Sequence, residues 1–232
     1  MLYYDFHIHS ALSPCADNDM TPNNIVNMAA LSGLNAIAVS DHNTIGNVKA
    51  LVEAGKNCGV EVIPAMEVET AEEVHILTLF PNIQAAEYVA SEVYKSLPDI
   101  KNRPDIFGEQ IIMDSGDNIT GYEEKLLISP TNLSINSLFG LVLSAGGLFI
   151  PAHVDRHSYS ILTNLGFIPE ELDIKNIEIS KNVADLDAYL DNRKDLKKYN
   201  VLRNSDAHYL QDIAQKDACI DCENINDIFR RR

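Results

Sequence analysis

The run Leu2-Tyr3-Tyr4-Asp5-Phe6-His7-Ile8-His9 sets the pattern for the whole chain, because an apolar, β-forming stretch ends in side chains that can bind a metal ion. His7 and His9 are two positions apart, so on a strand both imidazoles face the same side. One ion can therefore take both of them. Asp5 belongs to the same run and is a candidate to orient one imidazole ring from behind.

Further motifs of the same kind close other apolar runs. They are Ser40-Asp41-His42, Glu67, His75, Ala152-His153 and Ser205-Asp206-Ala207-His208. Imidazole and carboxylate groups are the usual ligands of Zn²⁺, Mn²⁺ and Fe²⁺. Strand ends that each contribute one or two such groups can converge them at one mouth of a barrel. The sequence therefore predicts a metal-dependent hydrolase.

Several members of this set also have a purely structural interpretation. Asp41 either supports His42, which is the better ligand candidate, or caps a helix at the start of a loop. Glu67 could bridge two ions through its two oxygens, although taken alone it is indistinguishable from a solvated acid. His75 taken alone would more often be a satisfied histidine than a ligand. The combination of motifs, and no single residue, indicates the site.

Short β-branched or apolar runs alternate with helical patterns along the chain. The predicted strands are 2–8, 35–40, 60–65, 74–80, 147–152, 176–180 and 199–203, and the predicted helices are 22–32, 44–58, 83–96, 135–145 and 183–198. Such alternation favours parallel strands with right-handed crossovers. We expect the α/β class and a distorted seven-stranded (β/α) barrel. An open Rossmann-like sheet is the weaker alternative, because no Gly-rich phosphate loop follows the first strand.

Residues 98–130 interrupt the alternation between the fourth and fifth predicted strands. The segment contains three prolines, a Ser115-Gly116-Asp117-Asn118 turn and two strand-like runs at 109–113 and 125–129. These features predict a hairpin-like insertion at the barrel mouth. Long loops in this position often shape a pocket, so the insertion is a candidate to select substrate. A surface excursion without a role is the alternative of equal weight.

Composition narrows the class of protein and the kind of partner. A chain of 232 residues fits one domain over 1–232. The formal charge of −16 argues against a broad nucleic-acid surface, so nucleic acid is expected only as a short substrate. No signal peptide or membrane span is predicted, and four cysteines make no disulfide framework, which favours a cytoplasmic setting. The charged helices carry no clear interface signal, so the oligomeric state is left open.

The ordered set of motifs resembles the PHP (polymerase and histidinol phosphatase) domain family. The matching elements are Asp5-Phe6-His7-Ile8-His9-Ser10, Ser40-Asp41-His42-Asn43-Thr44, Glu67, His75, Pro151-Ala152-His153 and Ser205-Asp206-Ala207-His208. The resemblance spans nearly the whole chain and implies a distorted seven-stranded barrel with two to three divalent ions, of Zn, Mn or Fe. It implies three ligand sets: His7, His9, Glu67 and Asp206 for one ion; Glu67, His75 and His153 for a second; and His42, His208 and a loop residue for a third.

That loop residue is where the chain departs from the family pattern. Many members have Ser-Asp-Gly in this loop or a histidine slightly further on, whereas residues 13–19 here read Ser-Pro-Cys-Ala-Asp-Asn-Asp. Cys15 stands at about the position of the alternative histidine, and a thiolate is a competent ligand. Asp17 could reach the ion instead, with Cys15 slightly favoured.

The activity that the resemblance implies is hydrolysis of a phosphate ester of a small metabolite or nucleotide. Two neighbouring ions can supply a bridging hydroxide at neutral pH. Arg156 offers a planar guanidinium for the phosphate, or else forms a structural salt bridge. Asp206 is the candidate to accept or relay the proton, and His208 to protonate the leaving group. The alternatives are a nuclease for short oligonucleotides or nucleic-acid ends, hydrolysis of C–N or C–O bonds, and a metal-binding module without turnover.

Overall fold

A computed structural model describes residues 1–214, 218–221 and 227–230. The strands in these ranges are β1 (Leu2–Ile8), β2 (Ala36–Val39), β3 (Glu61–Glu69), β4 (His75–Leu79), β5 (Ile111–Met113), β6 (Ile119–Tyr122), β7 (Leu148–Pro151), β8 (Asn176–Glu178), β9 (Asn200–Leu202) and β10 (Cys219–Ile220). The helices are α1 (Pro22–Leu31), α2 (Val48–Cys58), α3 (Ile83–Ser96), α4 (Pro104–Phe107), α5 (Ile135–Ser144), α6 (Ile161–Leu165), α7 (Leu186–Asn192) and α8 (Asp227–Arg230).

Seven strands, β1 to β4 and β7 to β9, form the wall of a distorted (β/α) barrel, which confirms the predicted fold class. One sheet runs in the order β10-β1-β2-β3-β4-β7, and β8 pairs in parallel with β9. Loop hydrogen bonds join the two sheets. Val154 N donates to Glu178 O at 2.9 Å, and His9 N donates to Ala207 O at 2.9 Å. The curled sheet is therefore closed at two seams by a few backbone hydrogen bonds, which at the second seam include the one from Ala207 N to His7 O at 3.3 Å.

The expectation of uniformly parallel strands is wrong on one side of the barrel. β4 is antiparallel to both β3 and β7. Only residues 70–74 separate β3 from β4, and a parallel connection needs a crossover of a dozen or more residues. Because β4 runs in reverse, its first residue, His75, lies at the same end of the barrel as the last residues of the neighbouring parallel strands.

A register shift in β1 turns its histidines inward. The pairing of β1 with β2 is irregular between Asp5 and Ile8. Before the shift, Tyr4 and Phe6 pack in the apolar cluster inside the barrel, whereas Ile8 packs with the cluster under α1 and α2. The local bulge resets the alternation of side chains, so that His7 and His9 both face the barrel mouth above Phe6.

Helix boundaries follow local capping chemistry closely. Thr21 accepts a hydrogen bond from Asn24 N ahead of Pro22, as predicted for α1. Gly59 ends α2 with a left-handed φ of 71°, where a glycine carries no Cβ penalty. The single helix predicted over 183–198 is wrong in extent, because α7 ends at Asn192 and a short 3₁₀ helix, Lys194–Leu196, follows.

The segment 98–130 contains α4 and the hairpin β5–β6. The second strand lies at 119–122, so the prediction of a strand over 125–129 is wrong. Asn47 fastens the hairpin to the barrel, since its amide donates to Ile111 O and accepts from Met113 N. Asn43 donates to Leu127 O and Ser129 O in the same way. The insertion is thereby held against the loop that follows β2.

None of the described residues belongs to a helix long and apolar enough to cross a membrane.

Two glycines in helices give opposite predictions for stability. A Cβ added at Gly55 of α2 would lie 2.6 Å from Val60 O, whereas one added at Gly140 of α5 would meet nothing within 4 Å. We expect Gly55→Ala to destabilise the fold by about 1–3 kcal/mol, because backbone has to move. Gly140→Ala, the matched control, should stabilise it by about 0.5–1 kcal/mol. Urea unfolding measures both, and equal effects would contradict the close packing of α2 on β3.

Candidate metal centre

The residues predicted to carry chemistry lie together at one end of the barrel. They come from the ends of strands or from the loops just beyond: His7 and His9 from β1, His42 after β2, Glu67 from β3, His75 from β4, His153 after β7, and Asp206 and His208 after β9. Most of them are buried, and His208 is about a quarter exposed. Strand order and direction therefore bring together residues that are up to 201 positions apart in sequence.

Glu67 occupies the centre of this group. Its Oε1 lies 3.2 Å from His7 Nε2, 3.0 Å from His75 Nδ1 and 3.3 Å from His153 Nε2. Its Oε2 lies 3.1 Å from His42 Nδ1 and 3.5 Å from His9 Nε2. Each carboxylate oxygen thus faces its own set of imidazoles, which is the arrangement that a bridging carboxylate requires.

In the part of the chain that the structure describes, potential ligand atoms fall within 4.8 Å of one another in three groups. These are His9, Cys15, His42 and His208; His7, His9 and Asp206; and His42, Glu67 and His75. The first group unites the three side chains expected at the third ion and adds His9. The second contains three of the four expected at the first ion. The third contains Glu67 and His75 of the set expected at the second ion. Its remaining member is His42, whereas His153 was expected.

Unpartnered ring nitrogens indicate that these residues fit a divalent cation. Among the described residues, His7 Nε2, His42 Nδ1 and His153 Nδ1 are buried and lack a hydrogen-bond partner. A buried polar atom without a partner is costly. His7 Nε2 and His42 Nδ1 lie close to carboxylate oxygens without hydrogen-bond geometry. Nitrogen and oxygen atoms that converge in this way form a donor set suited to Zn²⁺, Mn²⁺ or Fe²⁺.

The electrostatics of the group favour positive charge at its centre. Burial opposes a charged imidazole, yet Glu178, Glu67 and Asp206 outweigh burial and raise the pKa of His7 well above its usual value. Burial likewise opposes a charged Glu67, but His75 and His7 hold the pKa of that carboxyl well below its usual range. The buried carboxylates thus stabilise cationic charge, which a bound metal ion would also provide.

Glu178 holds two of the candidate ligands from behind, and the sequence analysis did not identify it. Its Oε2 lies 3.0 Å from His7 Nδ1, and its Oε1 accepts from His153 N at 3.0 Å. Asn204 donates to Glu178 Oε2 at 2.6 Å. The available signal was an acid inside the apolar run Ile177-Glu178-Ile179 of a predicted strand.

Asp5 does not orient an imidazole, which corrects that expectation. Its carboxylate accepts hydrogen bonds from Ser205 and from the backbone of Ala214. The side chain lies on the side of β1 away from the mouth because of the register shift that follows it. Asp5 therefore fixes the segment that leads to Asp206.

Asp41 supports His9 through a serine. Its Oδ1 accepts from Ser13 Oγ at 2.6 Å, and Ser13 Oγ lies 3.1 Å from His9 Nδ1. Asp41 also accepts from the backbone and hydroxyl of Ser10. The carboxylate therefore organises the loop after β1 and does not cap a helix.

Cys15 projects from that loop towards His42 and His208, whereas Asp17 does not join any group of candidate ligands. Asp17 is exposed, and its Oδ1 accepts from the backbone of Asp19. Cys15 is exposed as a residue, but neighbouring protein desolvates its thiol, and this effect together with the charge of Glu67 raises the pKa of Cys15 to about 12. A thiolate at this position would therefore need a cation beside it.

A cavity of about 250 Å³ opens over the cluster. It is lined by Cys15, His42, Glu67, Glu69, His75, Ile128, His153, Arg156, Ser158, Tyr159, Asp206 and His208. Arg156 was expected either to contact a phosphate or to form a structural salt bridge. Its side chain lines the cavity, and its Nη2 also forms a salt bridge with Asp206 Oδ2 at 2.6 Å. His208 Nδ1 hydrogen-bonds with Asp206 O at 2.9 Å. Ile128 comes from the insertion, which thus reaches the rim.

Two curated relatives match about a third of the chain. A 5'-3' exoribonuclease of Haemophilus influenzae is 35% identical over 79 residues, which are 33% of this chain and 28% of that protein. Phosphoribosyl 1,2-cyclic phosphate 1,2-diphosphodiesterase of Eggerthella lenta is 34% identical over 80 residues, 32% of this chain and 29% of that protein. The matched segment therefore spans less than a third of either relative.

Solved structures share the fold at low sequence identity. The lesion-specific endonuclease EndoQ of Pyrococcus furiosus superimposes with a TM-score of 0.66 and 19% identity, over 99% of this chain and 55% of its own. An amidohydrolase of Chromobacterium violaceum superimposes with a TM-score of 0.65 and 19% identity, over 99% of this chain and 96% of its own. The PHP domain family itself matches residues 5–165, which is more than half of the sequence. The chain belongs to the PHP domain family.

Proposed function

We propose that the protein is a metal-dependent phosphoesterase that hydrolyses a phosphate ester of a small metabolite or nucleotide. The observation that carries the proposal is the convergence of six imidazoles on the carboxylates of Glu67 and Asp206, at a cavity that Arg156 also lines. Relatives named as an exoribonuclease and a cyclic phosphate diphosphodiesterase support the reaction class. We further propose that residues 1–232 form one catalytic domain, since candidate ligands lie at both ends of the chain.

The proposed cofactors are two to three divalent ions of Zn, Mn or Fe. The ligand sets are His7, His9, Glu67 and Asp206 for the first ion; Glu67, His75 and His153 for the second; and His42, Cys15 and His208 for the third. Glu67 lies within 3.5 Å of imidazoles from both the first and the second set, which supports its assignment to both. Ions bound there would supply Lewis acidity towards a water molecule and a phosphoryl group.

Arg156, Asp206 and His208 then have proposed catalytic roles, the last two in addition to binding ions. Arg156 is suited to donate two parallel hydrogen bonds to phosphoryl oxygens, and it would leave Asp206 to do so. Asp206 is the proposed proton acceptor, because its carboxylate lies between Arg156 and the imidazole of His9. His208 is the proposed donor to the leaving group, since it lines the cavity next to Asp206 and keeps partial contact with solvent.

Other reaction classes have weaker support. A nuclease acting on short oligonucleotides or nucleic-acid ends is the second candidate, because a solved relative is named as EndoQ in complex with a DNA duplex that carries an abasic lesion. Arg156 is, however, the single arginine among the described residues that line the cavity, whereas a nucleic-acid surface needs several basic side chains. No lysine lines it either, so an amidohydrolase with a carboxylated lysine is disfavoured. The full donor set argues against a module without turnover.

Removal of the central carboxylate tests the proposed function. We expect Glu67→Ala to lower turnover of p-nitrophenyl phosphate about a hundredfold or more and to reduce the number of bound ions, because both oxygens of the bridge are lost. Glu61→Ala, at the exposed start of the same strand, is the matched control and should behave as wild type. Metal analysis and steady-state kinetics give the two readouts.

Removal of the metal ions from the wild-type protein by chelation is the complementary test of the proposed function. Complete removal of metal should abolish turnover, and Mn²⁺ or Zn²⁺ should restore it. Activity that survives full removal would exclude the proposed reaction. Comparison of a mononucleotide with a dinucleotide then separates the phosphatase from the nuclease.

Glu178 gives a prediction about metal affinity. We expect Glu178→Gln to weaken Mn²⁺ or Zn²⁺ binding about 10- to 100-fold, because the amide no longer fixes His7 and the His153 backbone as a carboxylate does. Glu170→Gln, on an exposed side chain, is the isosteric control. Titration calorimetry measures both, and equal affinities would mean that Glu178 does not orient a ligand.

The third ion can be assigned by a pair of loop variants. Cys15→Ser should remove one bound ion per chain, because only Cys15 of the two loop candidates lies within reach of His42 and His208. Asp17→Asn should leave the metal content unchanged. The reverse outcome would assign the position to Asp17. Metal content after gel filtration is the measurement.

A further inference from the structure

Tyr159 lies at the rim of the cavity and packs on a candidate ligand. Its ring stacks on the His75 imidazole with centroids 4.7 Å apart and planes inclined by 18°. The backbone carbonyl of Tyr159 accepts a hydrogen bond from His75 N at 2.9 Å. The residue as a whole is 47% exposed although it lines the cavity. One part of the ring is therefore in contact with the site, and a large part of it remains open.

The backbone at this position does not favour a tyrosine. Tyr159 has a φ of 54°, in the left-handed region that favours glycine or asparagine. A bulky residue there stores strain, and such strain concentrates at functional sites. Because about half of the residue is exposed, burial of the tyrosine ring offsets little of this strain. The side chain therefore calls for an explanation outside the stability of the loop.

The dimensions and charge of the cavity restrict what a substrate can place there. Its volume of about 250 Å³ is below the range of about 300–1,000 Å³ that encloses drug-sized ligands. Among the described residues of its lining, Arg156 is the single arginine or lysine, which suits one phosphoryl group. The remainder of a substrate bound in this way has to extend past the rim, where Tyr159 is exposed.

We propose that Tyr159 selects phosphate esters that carry a flat aromatic base across a sugar from the phosphate, as nucleotides do, over esters of simple sugars. This inference rests on the proposed phosphoesterase function and specifies its substrate class. The nucleobase stacks on the open part of the tyrosine ring while the phosphoryl group lies beside Arg156. Stacking of a base on an aromatic side chain is tolerant of base identity, so selection is for the presence of a base.

The test compares adenosine monophosphate with ribose 5-phosphate, which has no base, in the metal-loaded full-length protein. Wild type should have a kcat/KM for adenosine monophosphate about tenfold or more above that for ribose 5-phosphate. Tyr159→Phe keeps the flat ring and should keep this ratio. Tyr159→Gly should lower the ratio towards one, chiefly through KM for adenosine monophosphate. Tyr88→Ala, on an exposed tyrosine of α3 that does not line the cavity, is the control.

Thermal stability separates substrate binding from a structural role. Glycine suits the left-handed backbone, so Tyr159→Gly should keep a melting temperature close to that of wild type. A large drop in melting temperature with an unchanged substrate ratio would make the ring structural and overturn the proposal. Loss of the ratio in Tyr159→Phe would assign recognition to the hydroxyl group, and would also overturn it.

The outcome also distinguishes this inference from the proposed function. Wild-type turnover of p-nitrophenyl phosphate, with equal kcat/KM for adenosine monophosphate and ribose 5-phosphate, would overturn the role of Tyr159 alone. Absence of turnover on all three compounds after metal loading would overturn the phosphoesterase function, and the role of Tyr159 with it.

Discussion

A buried carboxylate surrounded by imidazoles is the constraint on which the rest of this structure depends. Glu67 is 1% exposed and lies within 3.5 Å of nitrogens from five histidines. Such a group is stable in the interior only if the surrounding charges and hydrogen bonds compensate it. Every strand of the barrel wall leads to a residue of the cluster or to one that supports it, such as Glu178. The barrel is thus a frame that holds polar groups which no single element could keep in place.

Two local departures from regular geometry make this frame work. The short connection between β3 and β4 reverses β4 and brings His75 to the mouth. The register shift in β1 points His7 and His9 inward above an apolar interior. His153 and Asp206 have left-handed φ values of 31° and 53°, in the loops that leave β7 and β9. Strain of this kind persists only where the surroundings fix it, and here it directs His153 at Glu67 and Asp206 at His7 and His9.

The side chains of the cluster and those of the cavity rim come from different parts of the fold. The side chains that hold the proposed metal centre come from strand ends, whereas Ile128, Arg156 and Tyr159 come from the insertion and from the loop after β7. Loops change more readily than the barrel wall that positions them. Fold similarity to an endonuclease and to an amidohydrolase, both at 19% identity, is consistent with a common frame whose rim varies.

The sequence by itself indicated the seven wall strands and, through the resemblance of its ordered motifs, the family; it also nominated candidate site residues, because His and acidic residues at the ends of apolar runs are a local pattern. It also placed Cys15 in the loop after β1. Only the tertiary structure decided the reversed direction of β4, the second strand of the hairpin, and the pairing of Glu178 with His7 in place of Asp5. These features depend on strand register and on contacts between residues as many as 171 positions apart, which no local periodicity encodes.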